Sequence, residues 1–212
     1  MSTGWGAPDT SPTRLLLLRH GQTPLSVERR FAGRGDVPLT EAGRAQAAAA
    51  ARRLAGRGVD AIVSSPLLRT RGTAEYAAEA LGLPVEVDDG FVETDFGAWE
   101  GMTFAEAREH DPVAVDRWVS DPRAAPPGGE AFAAVSLRVG AARDALVERY
   151  RGRTVLVVTH VTPIKTLVQQ ALLAPVQALY RMHLDTASLT EVDVYADGPM
   201  VMRAFNDTSH LA

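Results

Sequence analysis

Two histidines of this 212-residue chain each follow a short apolar run: Leu15-Leu16-Leu17-Leu18-Arg19-His20 and Thr154-Val155-Leu156-Val157-Val158-Thr159-His160. A third run, Asp60 to Ser64, leads into Ser65-Pro66-Leu67-Leu68-Arg69. Imidazole is the side chain that exchanges protons near neutral pH, and a guanidinium grips oxyanions through parallel N–H donors. Two of each gathered on one edge make an oxyanion site, most naturally one for phosphate. Cysteine is absent, which removes thiol nucleophiles, zinc ribbons, iron–sulfur clusters and disulfides together.

Something must bring these groups to one edge. Apolar runs this short and without alternation suit strands buried on both faces. Between them, the alanine-rich Glu41 to Arg57 behind a capping Thr40, Pro66 to Leu81, and Glu130 to Tyr150 read as helices. In the last of these, Phe132, Val135, Val139, Ala142 and Leu146 recur at spacings of three and four, one apolar face to lay on a sheet. A further helix starts near Thr162. Strand and helix in alternation predict an α/β fold, a three-layer αβα sandwich with a mostly parallel central sheet. Ser188 to Tyr195 and Met200 to Asn206, joined around Asp197-Gly198-Pro199, predict a C-terminal hairpin.

A hydroxyl residue precedes proline after each of the three strands, in Thr23-Pro24, Ser65-Pro66 and Thr162-Pro163. That pairing reads as an N-cap and a first helical residue. Helix N-termini then face the carboxyl edge of the sheet, where open α/β sheets bind ligands and where free amides favour anions. Phe91 to Glu130 reads as irregular, and the acidic run Glu86 to Glu100 as a solvated loop. Residues 1–13 read as a linker or tail and 14–212 as one domain.

The formal charge is -4, from 22 basic and 26 acidic residues, without the basic excess of a nucleic-acid-binding domain. No apolar run approaches the roughly 20 residues of a membrane span, so neither nucleic acid nor membrane is expected as a partner and the expected location is cytoplasmic. Lys165 is the only lysine, so the positive charge sits almost wholly on guanidiniums.

Taken together, LLLLRHGQT, SSPLLRTRGTA, FVETDFGAWEGMT and VLVVTHVTPIK resemble the motifs of the histidine phosphatase superfamily, also called phosphoglycerate mutase-like, from Leu15 to about Lys165. The resemblance implies a phosphoglycerate mutase-like fold, His20 as nucleophile, Arg19, Arg69 and His160 as phosphate ligands, and Glu93 as proton donor, with no cofactor and no metal. On composition alone Glu100, Asp95 and Glu106 rival Glu93. Gln22, Thr23, Ser26 and Val161 are the candidate substrate-binding positions; Leu25-Ser26 stands where a Trp-Asn pair is common in the family, and Val161 where glycine is usual.

The implied activity is that of a histidine acid phosphatase, hydrolysing a small phosphomonoester through phosphohistidine. Alternatives are a mutase-type phosphotransferase, a phosphoprotein phosphatase and a non-catalytic phosphate-binding domain. The chain looks most like the acid phosphatase or α-ribazole phosphatase-like domains of actinobacteria, often fused to a ribonuclease H domain, which makes α-ribazole 5′-phosphate a candidate substrate and such a fusion an expectation. Arg19 and Arg69 are expected to hold His20 neutral, with one ring nitrogen donating to a backbone carbonyl, while His160 is expected as an imidazolium. Trp99, Phe104 and Trp118 are expected either to stack on the leaving group or to form a satellite core.

Overall fold

A computed structural model describes residues 11–212. The predicted tail lies outside the described residues as far as residue 10, and the first strand takes Thr13 from its end. The strands are β1 (Thr13–Arg19), β2 (Ala61–Ser64), β3 (Val85–Val87), β4 (Thr154–Thr159), β5 (Leu189–Val194) and β6 (Met200–Asp207), in one sheet of order β3-β2-β4-β1-β5-β6. β3, β2, β4 and β1 are mutually parallel, β5 runs antiparallel to β1, and β6 closes the predicted hairpin against it.

The two faces of the sheet are covered by different helices because successive side chains point to opposite sides. Leu15 and Leu17, with Val155 and Val157, pack on α6 (Phe132–Arg149) and α7 (Val161–Ala171) through Val135, Val139, Ile164 and Leu167. Leu16 and Leu18, with Leu156 and Val158, pack on α2 (Glu41–Leu54) and α3 (Leu68–Leu81) through Ala50, Leu54, Ala74 and Ala77. The four leucines of β1 are at most 1% exposed, so each contributes about 1.5–3 kcal/mol relative to solvent exposure. This is the three-layer sandwich that the unalternating runs predict.

The middle segment departs from expectation. It holds two helices, α4 (Phe104–His110), opened by a Thr103–Glu106 capping box, and α5 (Pro112–Ser120), capped by Asp111 with proline at its first turn. The acidic run is not a solvated loop either: it begins with edge strand β3, and Phe91, Val92, Glu93, Thr94, Phe96 and Trp99 are buried. Two of the predicted caps also shift. α3 starts at Leu68 rather than Pro66, and α7 starts at Val161 with His160 as its N-cap. Only the first of the three cap readings holds, in the four-residue helix α1 (Pro24–Val27), where Thr23 and Ser26 form a reciprocal capping box.

Candidate active site

β1, β2 and β4 are parallel neighbours, so their carboxyl ends lie side by side: Ser64 pairs with Val158, and Arg19 with Thr159. The chain leaves each strand still held to its neighbour, with His20 N–H donating to Thr159 and Ser65 N–H to Val158. His20 and Ser65 are thereby held by backbone hydrogen bonds next to His160 at the end of β4. The rings of His20 and His160 meet edge to face, with centroids 5.3 Å apart.

His20 is 5% exposed, and its Nδ1 lies 2.8 Å from the carbonyl of Gly21. A carbonyl only accepts, so Nδ1 carries the proton and Nε2 keeps a free lone pair. Burial is the main cause holding the His20 imidazolium well below its usual pKa of 6.5, with the charges of Arg19 and Arg69 adding to it. Neutral His20 is therefore as expected, but desolvation outweighs the guanidiniums. The turn that tethers the ring rests directly on α2: a Cβ on Gly21 would lie 2.4 Å from the Gly43 carbonyl oxygen, and one on Gly43 would lie 2.1 Å from that of Gln22.

His160 is fully buried and its pKa is likewise driven well below 6.5, first by desolvation and then by Arg69, His20 and Arg19. The expected imidazolium is corrected: two buried guanidiniums and a second imidazole leave no reason for another cation. Its Nε2 lies 2.7 Å from the Ser65 hydroxyl, and α3 has Leu67 as its N-cap, without a side-chain cap.

Arg69, fully buried, spends its terminal nitrogens on the carbonyls of Ala32, Gly33 and Gly35 at 2.8–2.9 Å. Arg19 donates to the Leu184 carbonyl at 2.6 Å, and burial pushes its pKa down to about 10 against the charges of Glu93 and Asp185. The Nε atoms of both arginines and Nδ1 of His160 are buried without a protein partner. Buried polar atoms are almost always hydrogen-bonded; of these three residues Arg19 lines the cleft beside His20, while Arg69 and His160 lie behind its lining.

Glu93, 5% exposed, accepts from its neighbour Thr94 N–H at 2.8 Å and from Thr162 N–H, at the start of α7, at 3.3 Å. Its rivals are engaged elsewhere. Glu100 accepts from Gly33 N–H at 2.9 Å, Asp95 from Gly97 N–H at 2.8 Å, and Glu106 caps α4 while pairing with Arg30. Glu93 alone of these four lines the cleft of about 360 Å³ in which His20 and Arg19 are exposed to a ligand.

Thr23, Ser26 and Val161 line this cleft as well. Gln22 does not; its amide oxygen accepts from the Thr40 hydroxyl at 2.8 Å, tying the turn to the cap of α2. The aromatic residues divide: Trp118 lines the cleft with Phe31, Phe96, Phe132 and Tyr180, Trp99 is buried in the core, and Phe104 is 43% exposed under Arg108. Sequence reasoning missed the Ser65–His160 contact and the lining residues Arg30, Leu179 and Lys165. Of these only Lys165 carried a signal, as the sole lysine.

The fold is α/β, and His20, His160, Arg19 and Arg69 come together at one edge of its sheet. The model of the histidine phosphatase superfamily (branch 1) matches residues 15–208, and the chain belongs to that family. It is 56% identical over 211 residues to a bifunctional protein of Mycobacterium tuberculosis, covering 99% of this chain and 58% of that relative's length. It is 33% identical to phosphoserine phosphatase 1 of Hydrogenobacter thermophilus, over 93% of this chain and 94% of the relative. Among solved structures, Bacillus stearothermophilus YhfR superposes with a TM-score of 0.87 at 36% identity, covering 94% of this chain and all of that one.

Proposed function

We propose that the chain hydrolyses small phosphomonoesters without a metal, through a phosphohistidine at Nε2 of His20. The observation that carries this reading is the tether of Nδ1 to the Gly21 carbonyl, which leaves Nε2 as the only nucleophilic nitrogen of a neutral ring. In the first step the Nε2 lone pair attacks phosphorus and the P–O ester bond breaks, while Glu93 gives its proton to the departing oxygen. Arg19, Arg69 and Nδ1–H of His160 take the equatorial oxygens, with the Ser65 hydroxyl donating to Nε2 of His160 so that the proton sits on Nδ1. In the second step water attacks phosphorus, Glu93 accepts its proton, and the P–N bond returns its electrons to His20. Positioning and charge stabilisation supply most of what phosphoryl transfer needs.

The aromatic wall suits a flat or apolar leaving group. α-Ribazole 5′-phosphate is one such ester, suggested by the sequence resemblance. The test is partition of preformed, labelled phosphoenzyme between water and 3-phosphoglycerate, with and without EDTA. Release as inorganic phosphate at an EDTA-insensitive rate is expected. Faster transfer to 3-phosphoglycerate contradicts hydrolysis in favour of a mutase, and loss of activity to EDTA with recovery on adding a divalent metal contradicts the metal-free route.

A further inference from the structure

Lys165 lies on α7, four residues after Val161, and its side chain lines the same cleft as His20 and Glu93. An ammonium has three N–H donors. Here one is used, on the Leu179 carbonyl at 3.1 Å. Among the described residues no carboxylate stands within 4 Å of it, whereas Arg30, another cation lining the cleft, pairs with Glu28 and Glu106. Burial lowers the Lys165 pKa and the charge of Glu93 opposes that, so the chain holds a half-desolvated cation here without an ion-pair partner. Such a charge is costly unless something compensates it.

We propose that Lys165 is a second anion subsite, which binds a carboxylate on the leaving group of the phosphomonoester; the proposal rests on the phosphatase reading above. The size of the unpartnered charge favours a carboxylate over a second phosphate. Lys165 offers one unpartnered positive charge beside a site that already has Arg19 for the phosphoryl group, and a singly charged carboxylate matches it where a second phosphate dianion would leave excess negative charge. The rings of Phe31, Phe96, Trp118 and Phe132, on the same cleft, then cover the carbon skeleton between the two acidic groups. This points the search for a substrate toward acidic ring-bearing esters and ranks them ahead of uncharged nucleoside-like ones, α-ribazole 5′-phosphate included.

The test compares meta- and para-carboxyphenyl phosphate with the matching carbamoylphenyl phosphates, which keep the shape and lose the charge. The wild-type protein is expected to prefer the acid at one or both ring positions by tenfold or more in kcat/KM, chiefly through KM. Lys165→Gln, which removes the charge and keeps a polar donor, should cut the acid-to-amide ratio at least tenfold, and Lys165→Arg should keep most of it. Because the readout is a ratio on one preparation, partial misfolding does not move it. Hydrolysis of both esters by wild-type protein without preference, or a ratio unchanged in Lys165→Gln, overturns the subsite alone. If neither ester is hydrolysed or phosphorylates the protein, the phosphatase reading falls and the subsite with it.

Discussion

Glu93→Gln separates proton donation from position, because the amide oxygen still accepts from Thr94 and Thr162 N–H but has no acidic proton to give. Phosphoenzyme formation from an alkyl phosphate should slow by about 10²- to 10⁴-fold, while para-nitrophenyl phosphate, whose leaving group departs unaided, slows little. Equal slowing in a rapid quench would make Glu93 an orienting group only. The two histidines make a pH statement. Both are held well below 6.5 in the folded protein, against a value near 6.5 when unfolded. The unfolded chain therefore binds more protons on the acid side, so the stability these residues contribute is complete above about pH 6.5 and is lost as pH falls through their folded values. His20, the proposed nucleophile, therefore stays neutral in mildly acidic solution. An NMR titration should place the His20 midpoint below 6.5 with the proton on Nδ1; a midpoint at 6.5 or higher contradicts the assignment.

Element by element, what could be read in advance was what is local. The strand runs fill both faces of the sheet, the three-and-four spacing of α6 lies on it, and Thr40 caps α2 by accepting from Gly43 N–H. β3 escaped because three residues carry no pattern, and the acidic run misled because Asp88 and Asp89 sit beside Phe91 and Val92, which turn inward. Ser65 reaches His160 across 95 positions, and Arg69 reaches the Ala32 to Gly35 carbonyls across 34 to 37; such contacts exist only once the sheet has formed. The join of α2 to the His20 turn belongs to this class. Glycine inside a helix normally costs about 1 kcal/mol relative to alanine, yet Gly43→Ala should destabilise by about 1–3 kcal/mol, because its Cβ meets backbone that cannot yield. The displaced turn carries the His20 tether, so kcat/KM should fall as well. A raised urea midpoint with full activity would show that the turn and α2 have room to move.

The whole molecule carries a net charge of -4, yet its cleft is lined by Arg19, Arg30 and Lys165 with Glu93 as the one carboxylate in that lining. Topology makes this separation. Three parallel strands deliver their carboxyl ends to one edge, and antiparallel β5 brings its amino end there, so the loop before it supports Arg19 through the Leu184 and Ser188 carbonyls and His20 through Ala187 N–H. No helix among the described residues is long and apolar enough to cross a membrane. Under the proposed function the charged edge takes a phosphate, and what it does to that phosphate turns on one bond. Rapid quench with a labelled phosphomonoester, followed by peptide mapping, measures that bond. The expected result is an acid-labile, base-stable label on His20 that forms and decays at rates compatible with turnover and is lost in His20→Ala. Label on another residue, or steady hydrolysis in His20→Ala at near wild-type rate, would contradict it.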